Sequence, residues 1–199
     1  MNDKEFFKQL GAVLSCEPAA LKAVEEVESG GRGGFLPSGR AQILFEGHQF
    51  YSRLKASQSE AFAKQIAERF PNICYPKWDK SKYKGGEGEW ERLIIARSVN
   101  PIIADMCASW GRFQIMGFNF ALCGCGSVVE MVKIMSESAT EQFRLFANFL
   151  KSSGCLPSLQ KKQWATFAKK YNGAGYAQNR YDTKLAAAYS KFVKQGYNS

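Results

Sequence analysis

Apolar residues recur at three- and four-residue spacing along most of this chain, and that rhythm constrains its fold more than any other feature. It predicts helices over 3–14, 17–28, 46–56, 58–70, 87–99, 101–109, 127–136, 138–152, 160–171 and 178–194. One segment reads differently. Ala41 to Phe45 is short, rich in β-formers and flanked by Gly39 and Gly47, which predicts a strand or hairpin around 35–45 after a Gly-rich turn at 30–39. Pro71 and Pro76 mark a loop, and Lys77 to Lys84, ahead of Gly85-Gly86, form a basic connector that carries Trp78 and Tyr83. The expected fold class is all-α, or α-rich α+β with one small β element. A chain of 199 residues with 45% hydrophobic content can bury a substantial core as one domain. Neither a repeat nor a Pro/Ser-rich linker divides it, so a single domain over residues 1–199 is expected.

Glu28 is the first candidate functional residue. Leu21, Val24 and Glu28 fall at i, i+3 and i+7, which sets a carboxylate on the stripe that its helix turns to the core. Apolar surroundings disfavour the ionised form and raise a carboxyl pKa, giving a proton donor near neutrality. Ser29-Gly30-Gly31 then ends the helix and leaves open space beside the acid. The plainer alternative is a helix-end glutamate that reaches sideways into solvent.

Charge and cysteine content exclude several other classes. The net charge of +9 fits a polyanionic surface, nucleic acid or simple solubility. The cations cluster around 77–84, 161–170 and 180–194 without a zinc finger, an RNP pattern or a recognition helix, so nucleic acid is not an expected partner. No basic segment followed by an apolar run opens the chain, and no stretch approaches a membrane span. The six cysteines read as reduced thiols. Cys123-Gly124-Cys125 with Cys107 and the lone His48 lacks the paired spacing of a structural zinc site, so no metal is expected. His48, beside Phe45 and Phe50, reads as packed or hydrogen-bonded rather than catalytic.

Two later segments join Glu28-Ser29-Gly30: Gly111-Arg112-Phe113-Gln114 and Tyr171-Asn172-Gly173. In this order they resemble the three signatures of the goose-type lysozyme and lytic transglycosylase superfamily: Glu-Ser at a helix end, Gly-x-x-Gln and Tyr-Asn-Gly. Val24 to Arg40, Ile43 to Tyr51, and Tyr171 to Tyr189 with Asn179 to Leu185 are more closely similar to the N-acetylmuramidase family of bacteriophage endolysins. The resemblance spans roughly residues 17–193. It implies a lysozyme-like domain whose small β element lies beside a cleft, with no separate wall-binding module. The implied activity is cleavage of the β-1,4 bond between N-acetylmuramic acid and N-acetylglucosamine in peptidoglycan, without a cofactor. It implies a monomer made in a host bacterial cytoplasm, released through a holin pore and acting in the periplasm on the cell wall. The alternatives are a lytic transglycosylase giving 1,6-anhydro products, or a non-catalytic cationic protein that binds wall or membrane.

Within that resemblance Glu28 is the general acid, as in other glycosidases. Glu46, leaving the short β segment just before Gly47, is the candidate base that activates water; the alternative is a glutamate favoured at a helix start. Glu25 is held in reserve, three residues before Glu28. Gln114 suits gripping an N-acetyl group or a backbone rim. Trp110 and Phe113 offer sugar platforms, or else ordinary core packing. The Tyr171 hydroxyl is placed to reach the acid or the substrate, and Asn172 either joins it or caps its helix. In the last helix Tyr181, Leu185, Ala188 and Phe192 form an apolar stripe, with Arg180, Lys184 and Lys191 alongside. The stripe packs on the domain, or the 178–194 helix meets lipopolysaccharide or anionic membrane.

Overall fold

Helical spacing is realised as helix along most of the chain. In order, the elements are α1 (Asp3–Leu14), α2 (Pro18–Ser29), β1 (Ile43–Phe45), α3 (Gly47–Ser57), α4 (Glu60–Arg69), α5 (Glu87–Val99), α6 (Pro101–Met106), β2 (Ala108–Trp110), β3 (Ile115–Met116), α7 (Val128–Met135), α8 (Ala139–Ser152), α9 (Leu156–Gln160), α10 (Trp164–Asn172) and α11 (Tyr181–Lys194). This computed structural model describes residues 2–197; Met1, Asn198 and Ser199, the ends of the expected 1–199 domain, lie outside them. Short polar side chains set several helix starts. Asn2, Ser59, Asn100 and Ser127 each accept a hydrogen bond from the backbone N–H three residues on, satisfying one orphan donor of the first turn.

Internal contacts group the chain into two compact units, residues 1–33 with 143–199, and residues 34–142. The first is built around α2. Ala19, Ala20, Leu21, Ala23 and Val24 are buried there with Phe7, Leu10 and Leu14 of α1. The stripe of α11 packs along α2, burying Leu185, Ala188 and Phe192, with Tyr181 half-buried. Polar ties fix that packing. Glu17, at the head of α2, accepts from the Tyr189 hydroxyl at 2.5 Å and from Lys162. Lys191 pairs with Glu26 at 2.7 Å. Glu25 is fully buried against Lys22, 2.5 Å away, which also meets Asp3 at 2.9 Å. Burying that charge is tolerable only because it is paired, and the reserve carboxylate is thereby a structural one.

The second unit holds an antiparallel sheet in the order β1-β2-β3. Ile43 faces Trp110 and Phe45 faces Ala108; Ser109 then faces Met116 and Trp110 faces Ile115. The β element is therefore larger than expected. Ala108 and Ser109, read as the end of a helix over 101–109, are strand residues, because α6 stops at Met106 and the chain pairs with β1 instead. Phe35 and Ala41 form only an isolated bridge. The ion pair Glu89–Arg92 is buried on α5 and braces β1: Arg92 Nη1 donates to Glu89 Oε2 at 2.7 Å and to the Phe45 carbonyl at 2.8 Å, while Phe45 N donates to Glu89 Oε2 at 3.0 Å. The other Glu89 oxygen accepts from Lys84 N at 2.6 Å and Gly85 N at 3.0 Å. One buried carboxylate thus ties β1 to the basic connector.

All six cysteines are buried. Burial pushes the thiols of Cys16, Cys74, Cys107 and Cys123 up to about 12, so they stay protonated and unreactive at neutral pH. Among the described residues no helix is long and apolar enough to cross a membrane, and no group of three or more His, Cys, Asp or Glu side chains is arranged to hold a metal ion.

Candidate functional site

In the first unit, α2 carries Glu28 into its last turn, where Gly30 closes the helix at φ 65° and Gly31 follows at φ 71°. A side chain at Gly31 would be strained by that left-handed backbone, and its Cβ would lie 2.6 Å from Glu26 Oε2, which would have to swing aside. Ser29 is buried and braces the helix end: its hydroxyl donates to the Glu25 carbonyl at 2.9 Å, and Arg32 Nε donates to the Ser29 carbonyl at 2.9 Å. Glu28 itself is half-buried. Desolvation raises its carboxyl to about 7, against the opposing pull of Asn172 and of the Lys184 charge. The helix C-terminus, with its partial negative charge, is a further reason for the carboxyl to hold its proton.

Asn172, the last residue of α10, donates from Nδ2 to Glu28 Oε1 at 2.8 Å. With Oε1 engaged by the amide, Oε2 is the oxygen left to carry the proton of the neutral acid. The capping position belongs to Gly173, at φ 83°, and Asn172 Oδ1 is buried with no hydrogen-bond partner. A buried amide oxygen without a donor is costly, and here it sits beside the acid. The ring of Tyr171 lies in an aromatic cluster, stacked on Phe167 at 5.2 Å and edge-on to Phe149 at 5.4 Å.

In the second unit, Glu46 stands at the start of α3 without capping it. Its Oε2 accepts from the Tyr83 hydroxyl at 2.7 Å and lies 3.2 Å from His48 Nδ1. Tyr83 in turn accepts from the indole N–H of Trp78 at 2.8 Å. Burial, and then the Glu46 carboxylate, push the Tyr83 hydroxyl up, so it remains a donor. Sequence spacing gave no sign of this chain, because Tyr83 lies 37 residues from Glu46. Its only trace was an unusual Trp and Tyr among lysines. His48 Nδ1 is buried without a hydrogen bond, so the histidine read as packed is also a neighbour of the carboxylate.

The Gly-x-x-Gln motif is the loop of the β2–β3 hairpin. Gly111 takes φ 70° and Gln114 φ 48°, and the amide of Gln114 closes the turn: Nε2 donates to the Gly111 carbonyl at 2.8 Å, while Oε1 accepts from Ser109 Oγ at 2.8 Å. These bonds hold the hairpin loop in shape. Trp110 and Phe113 are 0% and 1% exposed. Trp110 packs edge-on to Trp90 at 5.7 Å and donates its N–H to the Asp105 carbonyl at 3.0 Å. Both rings have their faces inside the core, which corrects the expectation of a sugar platform at these positions.

Residues 17–193 match the N-acetylmuramidase family. The chain belongs to that family. Among solved structures, this muramidase is similar to the crystal structure of the Burkholderia AP3 phage endolysin, at 36% identity and a TM-score of 0.78, over 96% of this chain and 71% of that one. No curated protein matches its sequence. The helix-rich fold with its small sheet is that of a lysozyme-like endolysin, and the activity of the muramidase is hydrolysis of peptidoglycan.

Proposed function

We propose that this muramidase cleaves the β-1,4 bond between N-acetylmuramic acid and N-acetylglucosamine, with Glu28 as general acid and residues 1–199 acting as one catalytic domain. The observation that carries this reading is the Glu28 carboxyl itself, raised to about 7 by desolvation while Asn172 holds Oε1. An acid with that pKa is protonated in a large fraction of molecules near neutrality and ionises readily once its proton has moved. As the glycosidic oxygen leaves, Glu28 Oε2 delivers the proton and positive charge builds on the sugar. Asn172 stays on Oε1 throughout and stabilises the resulting carboxylate.

Glu46 is the proposed base. Tyr83 holds its Oε2, which leaves Oε1 to take a proton from an attacking water. A water-activating carboxylate predicts inversion at the anomeric carbon. Gln114 serves by keeping the hairpin rim in shape, and Tyr171 by anchoring the end of α10, next to Asn172, against Phe149 and Phe167. The muramidase acts as a monomer on glycan strands, made in a bacterial cytoplasm and reaching the wall through a holin-type pore. Mass spectrometry of a peptidoglycan digest tests the assignment. Reducing N-acetylmuramic acid ends are expected, and 1,6-anhydro ends would replace it with a transglycosylase.

A further inference from the structure

Trp78 is placed unlike a tryptophan that serves only to fill space. It is 58% exposed, whereas Trp90 is 9% exposed and Trp110 fully buried. Exposing an indole is unfavourable, and an exposed side chain ordinarily gains freedom in return. Trp78 is instead held. Its N–H, the one polar atom of the ring, donates to Tyr83 at 2.8 Å rather than to water, which leaves the rest of the indole surface apolar. The loop beneath is braced as well: Asp79 Oδ1 accepts from Ser81 N at 2.9 Å and Ser81 Oγ at 2.7 Å, and Glu89 Oε1 fixes Lys84 N and Gly85 N. The hydroxyl that receives the indole N–H passes its own proton bond to Glu46 Oε2 at 2.7 Å.

We propose that Trp78 is a saccharide-binding residue of this muramidase, a flat platform on which one pyranose ring of the glycan strand stacks next to Glu46. The occupant follows from the chemistry. One face of a β-linked pyranose carries a patch of C–H bonds, weakly positive and poorly hydrated, which complements the negative face of an indole, while the ring's hydroxyls keep their water. Fixing the indole in advance lowers the entropy lost when the sugar docks. Because Tyr83 is acceptor to Trp78 and donor to Glu46, a sugar settled on the indole also steadies the carboxylate. Trp78 thus positions substrate, and acts on Glu46 through Tyr83 alone.

This inference rests on the hydrolase reading, so binding and turnover are measured separately. Glu28→Gln protein is titrated with soluble, peptide-free glycan strands by calorimetry, alone and combined with Trp78→Ala, Trp78→Leu or Trp78→Phe. Affinity is expected to fall about three- to tenfold with Ala and with Leu, and to be largely kept with Phe, which still offers a flat face. In the active protein Trp78→Ala should raise KM more than it lowers kcat, with an unchanged thermal midpoint. Equal affinity with and without Trp78, or Leu binding as well as Phe, overturns the platform. If wild-type protein releases no reducing ends while affinity still depends on the ring at position 78, the hydrolase reading falls and the saccharide site stands.

Discussion

Asn172 donates a 2.8 Å hydrogen bond to Glu28 from a residue 144 positions away in sequence. The amide anchors one carboxyl oxygen, while the surroundings hold the proton on the other. That division of labour makes the acid testable. Glu28→Gln keeps the shape and can still accept from Asn172, but has no proton to give. Lysis of peptidoglycan should fall ~10²-fold or more with the fold retained. In the wild type, activity should decline as pH rises through about 7, where Glu28 loses its proton. A turbidity assay reads both, and near wild-type lysis by well-folded Glu28→Gln protein would remove Glu28 from the reaction.

The same shift predicts how stability responds to pH. Glu28 binds its proton more tightly folded than unfolded, so between about 4.5 and about 7 the folded state carries the extra proton and stability drops as pH rises. Below that window the carboxyl is neutral in both states and the penalty is absent. Glu28→Gln abolishes the titration, and should therefore be more stable than wild type at pH 8 by about 1–3 kcal/mol, with little difference near pH 4. Urea midpoints at the two pH values check this; an equal effect at both would show that the carboxyl is not desolvated.

Glu46 and Tyr83 should behave as a pair. Glu46→Gln is expected to suppress turnover while glycan binding persists, because the amide has no basic oxygen to take a proton. Tyr83→Phe removes the bond that orients Glu46 and should lower kcat by about tenfold. Combining the two should be no worse than Glu46→Gln alone, as expected for residues acting through one another. Steady-state kinetics on soluble glycan strands measures each, and unchanged turnover in Glu46→Gln would make Glu46 structural.

Gln114 holds the β2–β3 hairpin with its amide and pays for it with a left-handed backbone. Gln114→Ala loses all three side-chain hydrogen bonds, to Ser109, Gly111 and Gln42, and keeps the strain, at about 1–3 kcal/mol. Gln114→Gly loses the same bonds but relieves the strain, so it should be the milder change. Equilibrium denaturation orders the two; a Gly variant weaker than Ala would show that φ at 114 is not limiting.

The last helix bears on envelope binding. Its stripe is packed on α2 and Lys191 is paired, which leaves Arg180 and Lys184 as an exposed basic edge. A peptide covering residues 178–196, freed of α2, should become helical on anionic vesicles, and that binding should weaken as salt rises. Circular dichroism and leakage at low salt test it, with no change in either excluding a membrane role for α11.

What the sequence determined by itself is what a few neighbouring residues encode. Period and capping residues placed most helices within two or three positions, and i, i+3, i+7 spacing put Glu28 on the core side of α2 before glycines that end it. Motif order was enough to indicate a muramidase. Tertiary structure decided who meets whom. Ala108 and Ser109 are strand because Leu44 and Phe45, more than sixty residues earlier, offer unpaired backbone, and no local propensity carries that information. Trp110 and Phe113 are core and Trp78 surface, although all three are aromatic residues in short polar or Gly-containing segments. Glu25 and Glu28 share a helix three residues apart, yet one is neutralised by Lys22 and the other by its own proton. Their chemistry differs because Lys22 lies one turn before Glu25 on the same helix, whereas Glu28 has no such cation paired with it among the described residues and its desolvated carboxyl meets Asn172 from a distant part of the chain.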